Sequence, residues 1–311
     1  MNTIPPHPIA VIDLGTNTFH LLIVQPDATS SVGFNHVFRD RRFVKLGQDG
    51  IERISPAAWQ RGIDCLCDFR KALDQWEVSQ VWALGTAALR TAENGTDFIQ
   101  EVLAKTGIQI QLIDGLEEAA FILKGVRLAV PFTQEPSLVM DIGGGSVEFI
   151  IANATQTFWV KSFPIGVTVL YRNFHFNDPI EADQVHAIRR FLEETLGSLR
   201  EALIQYPVNR LVGVSGTFDV LENLLEVIDG DDRYQVLDTG RFEAILNEIQ
   251  VLPFEERLSV EGMPEYRADL IVVAMLLIDA ILQMGKIEHL WVSHFSMKQG
   301  MIASLMEKGS A

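Results

Sequence analysis

Two short segments of this chain carry residue types suited to gripping an oxyanion. Asp13-Leu14-Gly15-Thr16-Asn17-Thr18 and Asp141-Ile142-Gly143-Gly144-Gly145-Ser146 each place an aspartate two residues before a glycine and end on a hydroxyl side chain. A phosphate chain needs many donors at close range. Backbone N–H groups supply them without bulk, glycine lets the backbone approach and take positive φ, and serine or threonine adds a hydroxyl donor. Gly143-Gly144-Gly145-Ser146 meets that specification well, and Gly15-Thr16-Asn17-Thr18 meets it moderately. Asp13 and Asp141 would stand beside bound phosphate, where like charges repel unless a cation intervenes; a hydrated Mg²⁺ is the natural bridge. Glu148 lies two residues past Ser146, on the same strand face, and could share that ion or orient a water. Taken singly, either turn is explained as well by an ordinary Asp/Gly hairpin. Their recurrence in matching contexts favours the ligand-binding reading.

Other residues are open to two readings. In Asp114-Gly115-Leu116-Glu117-Glu118, a carboxylate could accept a proton from an attacking water, or the acids could only complement a helix dipole. Arg90, five residues past Gly85, could grip phosphoryl oxygens through two donors. Arg39, Arg41, Arg42 and Lys45 form the densest basic segment, which suits either a solvated strand edge or a handle for a polyanion. His20, opposite Glu148 when the two turns are overlaid, reads as packing. No His/Cys cluster has zinc spacing, no serine sits in a nucleophile elbow, and no dinucleotide fingerprint follows a strand.

The elements that must position these groups form a repeated pattern. Ile9 to Val24 reads as strand, turn, strand, and Leu138 to Ile151 does so again. Ser55-Pro56 opens a helix to about Glu77, followed by a strand ending in Gly85-Thr86. Further along, Asp178-Pro179 caps a long helix to about Ile204, and a strand ends in Ser215-Gly216-Thr217. Overlaying the halves sets Asp13 on Asp141, Gly15 on Gly143, Thr18 on Ser146 and Gly85-Thr86 on Gly216-Thr217. A duplicated fold is implied, with the boundary near Pro131 to Pro136. The 311 residues suit two domains of about 150 residues each.

Composition narrows the partners. A net charge of −16 opposes non-specific binding to nucleic acid or anionic membrane, so an anionic substrate must be held by local donors. Met1 to Pro8 lacks the basic and apolar parts of a signal peptide, and Leu270 to Met284 is too short to span a bilayer and contains Asp279. Cys65 and Cys67 read as reduced packing residues, so a cytoplasmic location is expected. A homodimer is the default oligomeric expectation.

The chain resembles the exopolyphosphatase / guanosine-pentaphosphate phosphohydrolase (Ppx/GppA) family of the actin-like superfamily. The resemblance rests on Ala10 to His20, Gly85 to Arg90, Gly115-Leu116-Glu117-Glu118-Ala119, Asp141 to Glu148, Ser215-Gly216-Thr217 and Arg267-Ala268-Asp269, in the family's order. It implies an α/β architecture of two actin-like (ribonuclease H-like) domains, with mixed sheets flanked by helices and an interdomain cleft. Domain limits of 1–130 and 131–296 follow, with a last helix at about 297–311 able to pack back on the first domain. It further implies Mg²⁺-dependent release of orthophosphate from inorganic polyphosphate or guanosine pentaphosphate. Glu118 then becomes the general base and Arg90 the phosphate-binding arginine. Gly15 to Thr18, Gly143 to Ser146, Ser215-Gly216-Thr217 and Lys45 hold phosphate, and Asp141 and Glu148 are the metal-linked acids. Ala120, His294-Phe295 and Lys298-Gln299-Gly300 depart from the family's pattern. The extent of the chain resembles the short members, for which a weaker grip on very long polymer is expected. A kinase of the same fold and a low-turnover polyphosphate or alarmone sensor are the competing readings.

Overall fold

The structure, a computed structural model, describes residues 7–308; Met1–Pro6 of the N-terminal segment and residues 309–311 of the expected last helix lie outside them. The apolar runs around the first glycine turn form β1 (Ile9–Leu14) and β2 (Phe19–Pro26), paired antiparallel with Asp13 opposite His20. β3 (Phe34–Arg42) adds an edge strand beside β2 and carries Arg39, Arg41 and Arg42. α1 (Pro56–Gln75) begins as its sequence requires: the Ser55 side chain accepts from the Ala58 N–H, and Pro56 fills a position whose N–H would have no helical partner. Then follow β4 (Gln80–Gly85), α2 (Ala87–Thr91), α3 (Gly95–Thr106), β5 (Ile110–Leu112) and α4 (Gly115–Ala129). β4 runs parallel to β1 and β5 parallel to β4, giving the order β3-β2-β1-β4-β5.

The second half builds the same succession. β6 (Ser137–Ile142), β7 (Val147–Ala152) and β8 (Thr157–Phe163) form an antiparallel meander, followed by α5 (Val167–Phe174), α6 (Ala182–Thr195) and α7 (Gly197–Gln205). β9 (Arg210–Val214) pairs parallel with β6, and α8 (Gly216–Leu224) follows it. Then come β10 (Val227–Gly230), β11 (Tyr234–Leu237), α9 (Phe242–Gln250), α10 (Phe254–Arg257), α11 (Ile271–Gly285) and β12 (His289–Ser293). The sheet order is β10-β11-β12-β9-β6-β7-β8. Its last five strands, taken from β8 inward, repeat the order of the first sheet, and β11 and β10 are additions. The duplication inferred from two turns is therefore a duplication of whole sheets, both of the actin-like type.

The chain clusters into two units, Ala129–Phe295 and the rest, so α12 (Met297–Lys308) belongs with the first half. Its seat is a crossing of glycines. A Cβ on Gly125 of α4 would run into the Ser296 carbonyl, and one on Gly300 of α12 would run into the Phe121 carbonyl. Lys124 also donates to Ser304 at 2.9 Å. α12 thus fixes the helix that carries Glu118.

Each unit has its own core. Ile12, Leu14, Phe19, Leu66 and Phe69 are among the buried residues of the first, and Leu138, Phe149, Leu192 and Phe218 among those of the second. α11 is buried along most of its length, as its apolar sequence demands, and Asp279 is tolerated there because Arg189 donates to it at 3.1 Å and Gln283 at 2.8 Å. Among the described residues no helix is long and apolar enough to cross a membrane. Cys65 and Cys67 are free, and burial pushes the Cys65 thiol up to about 12.

One expected element differs. The helix after Asp178-Pro179 starts at Ala182, capped by Glu181 in a reciprocal box with Gln184, and breaks at Leu196 before α7. Asp178 is engaged elsewhere: it accepts from the Phe254 N–H at 2.7 Å and pairs with the buried Arg257 at 2.7 Å.

Gly300→Ala should test the glycine crossing. Overpacking of this kind costs about 1–3 kcal/mol, which for a unit of about 150 residues corresponds to a melting temperature lower by roughly 3–10 °C. A thermal melt identical to wild type would show that the two helices are not in backbone contact.

Candidate active site

Each glycine turn closes on itself in the same way. The Gly15 N–H donates to the Thr18 carbonyl at 3.0 Å, and the Gly143 N–H donates to the Ser146 carbonyl at 3.0 Å. A Cβ on Gly15 would stand 3.0 Å from that Thr18 oxygen, and one on Gly143 2.9 Å from the Ser146 oxygen. A side chain at Gly143 would force the backbone to shift, and one at Gly15 would make a contact tighter than usual, so space favours glycine at both positions.

The carbonyls of both turns are occupied by a second segment. In the first unit the Lys45 N–H donates to Asn17 O at 2.8 Å and the Gly47 N–H to Thr16 O at 3.2 Å. In the second, the N–H groups of Val167, Thr168 and Gly166 donate to the carbonyls of Gly143, Gly144 and Gly145 at 3.0, 3.0 and 3.2 Å. A trans peptide unit points its N–H away from its carbonyl. The amides of Asn17 and Thr18, and those of Gly144, Gly145 and Ser146, are thus turned away from the bracing segments. Among the described residues, the Thr18, Gly144, Gly145 and Ser146 amides donate to no backbone carbonyl. Successive amides aimed to one side form an anion-binding nest.

The remaining groups of the first unit are linked to its turn through backbone contacts. Thr86 donates from its amide and its hydroxyl to the Leu14 carbonyl at 3.2 and 3.3 Å, joining the end of β4 to the end of β1. Ile113 donates to Gly85 O at 3.1 Å, and Arg90 donates from Nη1 to Ile113 O at 2.6 Å. Arg90, Thr86 and the start of α4 are thereby held to the strand that carries the turn. α4 is capped reciprocally: Asp114 Oδ1 accepts from the amides of Leu116 and Glu117 at 2.9 and 2.8 Å, and Glu117 Oε2 accepts from the Asp114 amide at 3.0 Å. The capping alternative is therefore true of Glu117. The Glu118 carboxylate stands outside the cap, one residue further along the first turn. Lys45 is brought to the turn by its own backbone, with φ 49. Arg42 is engaged with Asp40 at 2.9 Å on the edge strand, the bland alternative for that residue.

In the second unit Asp141 and Glu148 are directly opposed across β6 and β7, and both are buried. Glu148 Oε1 accepts from Ser162 Oγ at 2.7 Å, which aims one edge of that carboxylate. Ser215 begins α8 with φ 73, in the left-handed region that favours glycine, and its carbonyl accepts from the Phe218 amide at 3.0 Å. The strand register corrects the overlay of the second pair of turns. Leu84 pairs with Asp13 and Val214 with Asp141, so Gly85 corresponds to Ser215 and Thr86 to Gly216, one residue away from the glycine-on-glycine match.

Sequence reasoning missed the bracing segments and Lys298. Lys298 of α12 is the charge that acts on Asp13; burial raises the Asp13 carboxyl above its ordinary range, and Lys298 opposes the rise. Gln299 caps α12, accepting from the Ser296 amide at 3.0 Å. His294, another departure from the family pattern, sits between Glu222 (Nε2 at 2.9 Å) and the Asp232 carbonyl (Nδ1 at 3.0 Å). Burial favours the neutral ring, but these partners and Asp219 outweigh it and raise the pKa of His294.

The profile of the Ppx/GppA phosphatase family matches residues 22–309. A guanosine-5'-triphosphate,3'-diphosphate pyrophosphatase of Vibrio parahaemolyticus is 28% identical over 299 residues, which cover 96% of this chain and 59% of the relative. The counterpart from Vibrio vulnificus is 29% identical over the same shares. The chain thus spans about six-tenths of the length of these relatives. Among solved structures, an exopolyphosphatase from Cytophaga hutchinsonii superposes with a TM-score of 0.91 at 35% identity, covering 97% of this chain and 98% of that one. An Aquifex aeolicus family member superposes at 0.80 with 24% identity, covering 98% and 99%, and shares the fold.

Two outcomes are expected from these contacts. A Cβ on Gly166 would run into the Gly144 peptide; Gly166→Val should displace the second turn, seen as faster amide hydrogen exchange at Gly144, Gly145 and Ser146 in folded protein, and unchanged exchange there would contradict the bracing role. His294 has a raised pKa in the folded chain, so its stabilisation is full below the unfolded value and fades as pH rises through the folded one. Thermal melts from pH 5 to pH 9 should show wild type losing this increment and His294→Ala lacking it; parallel curves would contradict the assignment.

Proposed function

Since the chain belongs to the Ppx/GppA phosphatase family, we propose that it hydrolyses terminal phosphoanhydride bonds, releasing orthophosphate from inorganic polyphosphate, guanosine pentaphosphate or both. The observation that carries the proposal is the matched pair of braced turns, each presenting amides in the orientation a phosphate chain requires. In an acidic protein these turns and a few cations supply what a basic surface would otherwise supply.

In the proposed reaction Gly15 to Thr18, Lys45 and Arg90 hold phosphate in the first unit, and Gly143 to Ser146 and Ser215-Gly216-Thr217 hold phosphate in the second. Glu118 accepts a proton as water forms a bond to phosphorus. The bridging P–O bond breaks on the far side, and orthophosphate leaves a chain one phosphate shorter. Positioning and fixed electrostatics account for most of the rate, as in phosphoryl transfer generally. Asp141 and Glu148 would hold Mg²⁺. Among the described residues no cluster of three His, Cys, Asp or Glu forms a dedicated metal cage. Two opposed carboxylates nevertheless fit an ion that keeps several waters and takes its other ligands from phosphate. When bound, the ion would offset charge on the phosphoryl oxygens. The proposal includes a cytoplasmic location, supported by the free thiols of Cys65 and Cys67, and a homodimeric state.

The test is phosphate release from polyphosphates of several lengths, guanosine pentaphosphate and ATP, with and without Mg²⁺ and with no acceptor added. Release that requires an added acceptor would point instead to a kinase. Glu118→Gln should lower turnover by roughly 10²–10⁴-fold, the usual range for a general base, while polyphosphate still binds. Wild-type turnover in the folded variant would remove Glu118 from this role.

A further inference from the structure

Lys45 reaches the first turn on a loop whose own support comes from α1. Arg61 Nε donates to the Val44 carbonyl at 2.8 Å, and Nη2 donates to the Lys45 carbonyl at 3.2 Å and to Gln48 Oε1 at 3.1 Å. One guanidinium therefore holds two successive carbonyls and the far side of the loop. The loop has reason to need this. Lys45 lies at φ 49, a left-handed conformation that costs a non-glycine residue and persists only where surrounding contacts impose it. Its amide and that of Gly47 are the donors that occupy Asn17 O and Thr16 O. The base of Arg61 is itself fixed. Its neighbour Gly62 lets the Phe98 ring of α3 approach so closely that a Cβ there would stand 2.8 Å from a ring carbon.

We infer that Arg61 is a positioning residue for the phosphate turn: it holds the Lys45–Gly47 loop in the strained form that keeps the Thr16 and Asn17 carbonyls turned away from the bound anion. The inference rests on the proposed phosphatase activity for its kinetic consequence, and on hydrogen bonding alone for its structural one. A lysine would not replace it, because an ammonium is a point donor and cannot span two carbonyls and an amide oxygen as a planar fork does. In the second unit the bracing amides of Gly166 to Thr168 lie at the start of α5, whereas those of Lys45 and Gly47 lie on an irregular loop that this side chain props.

The experiment is a double-mutant cycle of Arg61→Ala with Lys45→Ala, read as kcat/KM for phosphate release and as amide hydrogen exchange without substrate. Arg61→Ala should lower kcat/KM about 10–100-fold, the size of effect a small misplacement of a reacting group produces. Added guanidinium should restore part of the loss, and Arg61→Lys should restore less than half. In the double variant the losses should not multiply, because both act through one loop. The Lys45 and Gly47 amides should exchange faster in Arg61→Ala while those of β1 and β2 keep their protection, which also shows that the variant is folded. Multiplying losses, or unchanged exchange at Lys45 and Gly47, would overturn the inference. If wild type releases no phosphate from any substrate, the proposed activity fails, and loop exchange together with polyphosphate affinity still decides the role of Arg61.

Discussion

Everything proposed for this protein depends on the disposal of a few carbonyl oxygens. A tight turn presents as many acceptors as donors, and an anion beside it is repelled by the first as strongly as it is attracted by the second. Both glycine turns solve this in one way. Each closes through a Gly N–H to a Thr or Ser carbonyl, and each has its inner carbonyls engaged by a segment that follows the hairpin's third strand. Peptide planarity then turns the amides to the opposite side. The order of the strands, the steric demand for glycine and the strained Lys45 all serve that arrangement.

The two units reach it with different materials. In the second, the brace is the start of α5, placed against the turn by Gly166, and three carbonyls are engaged by backbone alone. In the first, the brace is an irregular loop with a lysine in a left-handed conformation, propped from α1. The cross-strand partners differ as well: Asp13 faces His20, whereas Asp141 faces Glu148. A fold copied once has thus kept the backbone device and diverged in the charged groups around it. The acids that suit a hydrated cation stand in the second unit, and the proposed base and arginine stand in the first.

Much of this was legible in the sequence, for identifiable reasons. Asp, Gly and hydroxyl residues at fixed spacing between apolar runs mark a hairpin whose turn must be tight, and Ser55-Pro56 marks a helix start by local chemistry alone. The bracing segments were not legible. Their role is carried by backbone N–H groups whose partners lie far along the chain, and such contacts leave no side-chain signature at Lys45, Gly47 or Gly166 to Thr168. Glu117 and Glu118 were ambiguous because both lie in a first helical turn; only the hydrogen bond from the Asp114 amide to Glu117 assigns the cap. Asp178-Pro179 misled for a related reason, since an aspartate before proline suits a cap, yet its carboxylate is taken by Phe254 and Arg257. The added strands β10 and β11 are only four residues each, and β10 is exposed throughout, so they have little periodicity to announce them.

The central claim is that the outward amides of each braced turn bind phosphate. Backbone amide exchange or NMR shifts, followed residue by residue during titration with a short, non-hydrolysed polyphosphate analogue, would test it most directly. Asn17 and Thr18 in the first unit, and Gly144, Gly145 and Ser146 in the second, should respond to the analogue. Perturbations elsewhere with either turn silent would contradict the claim.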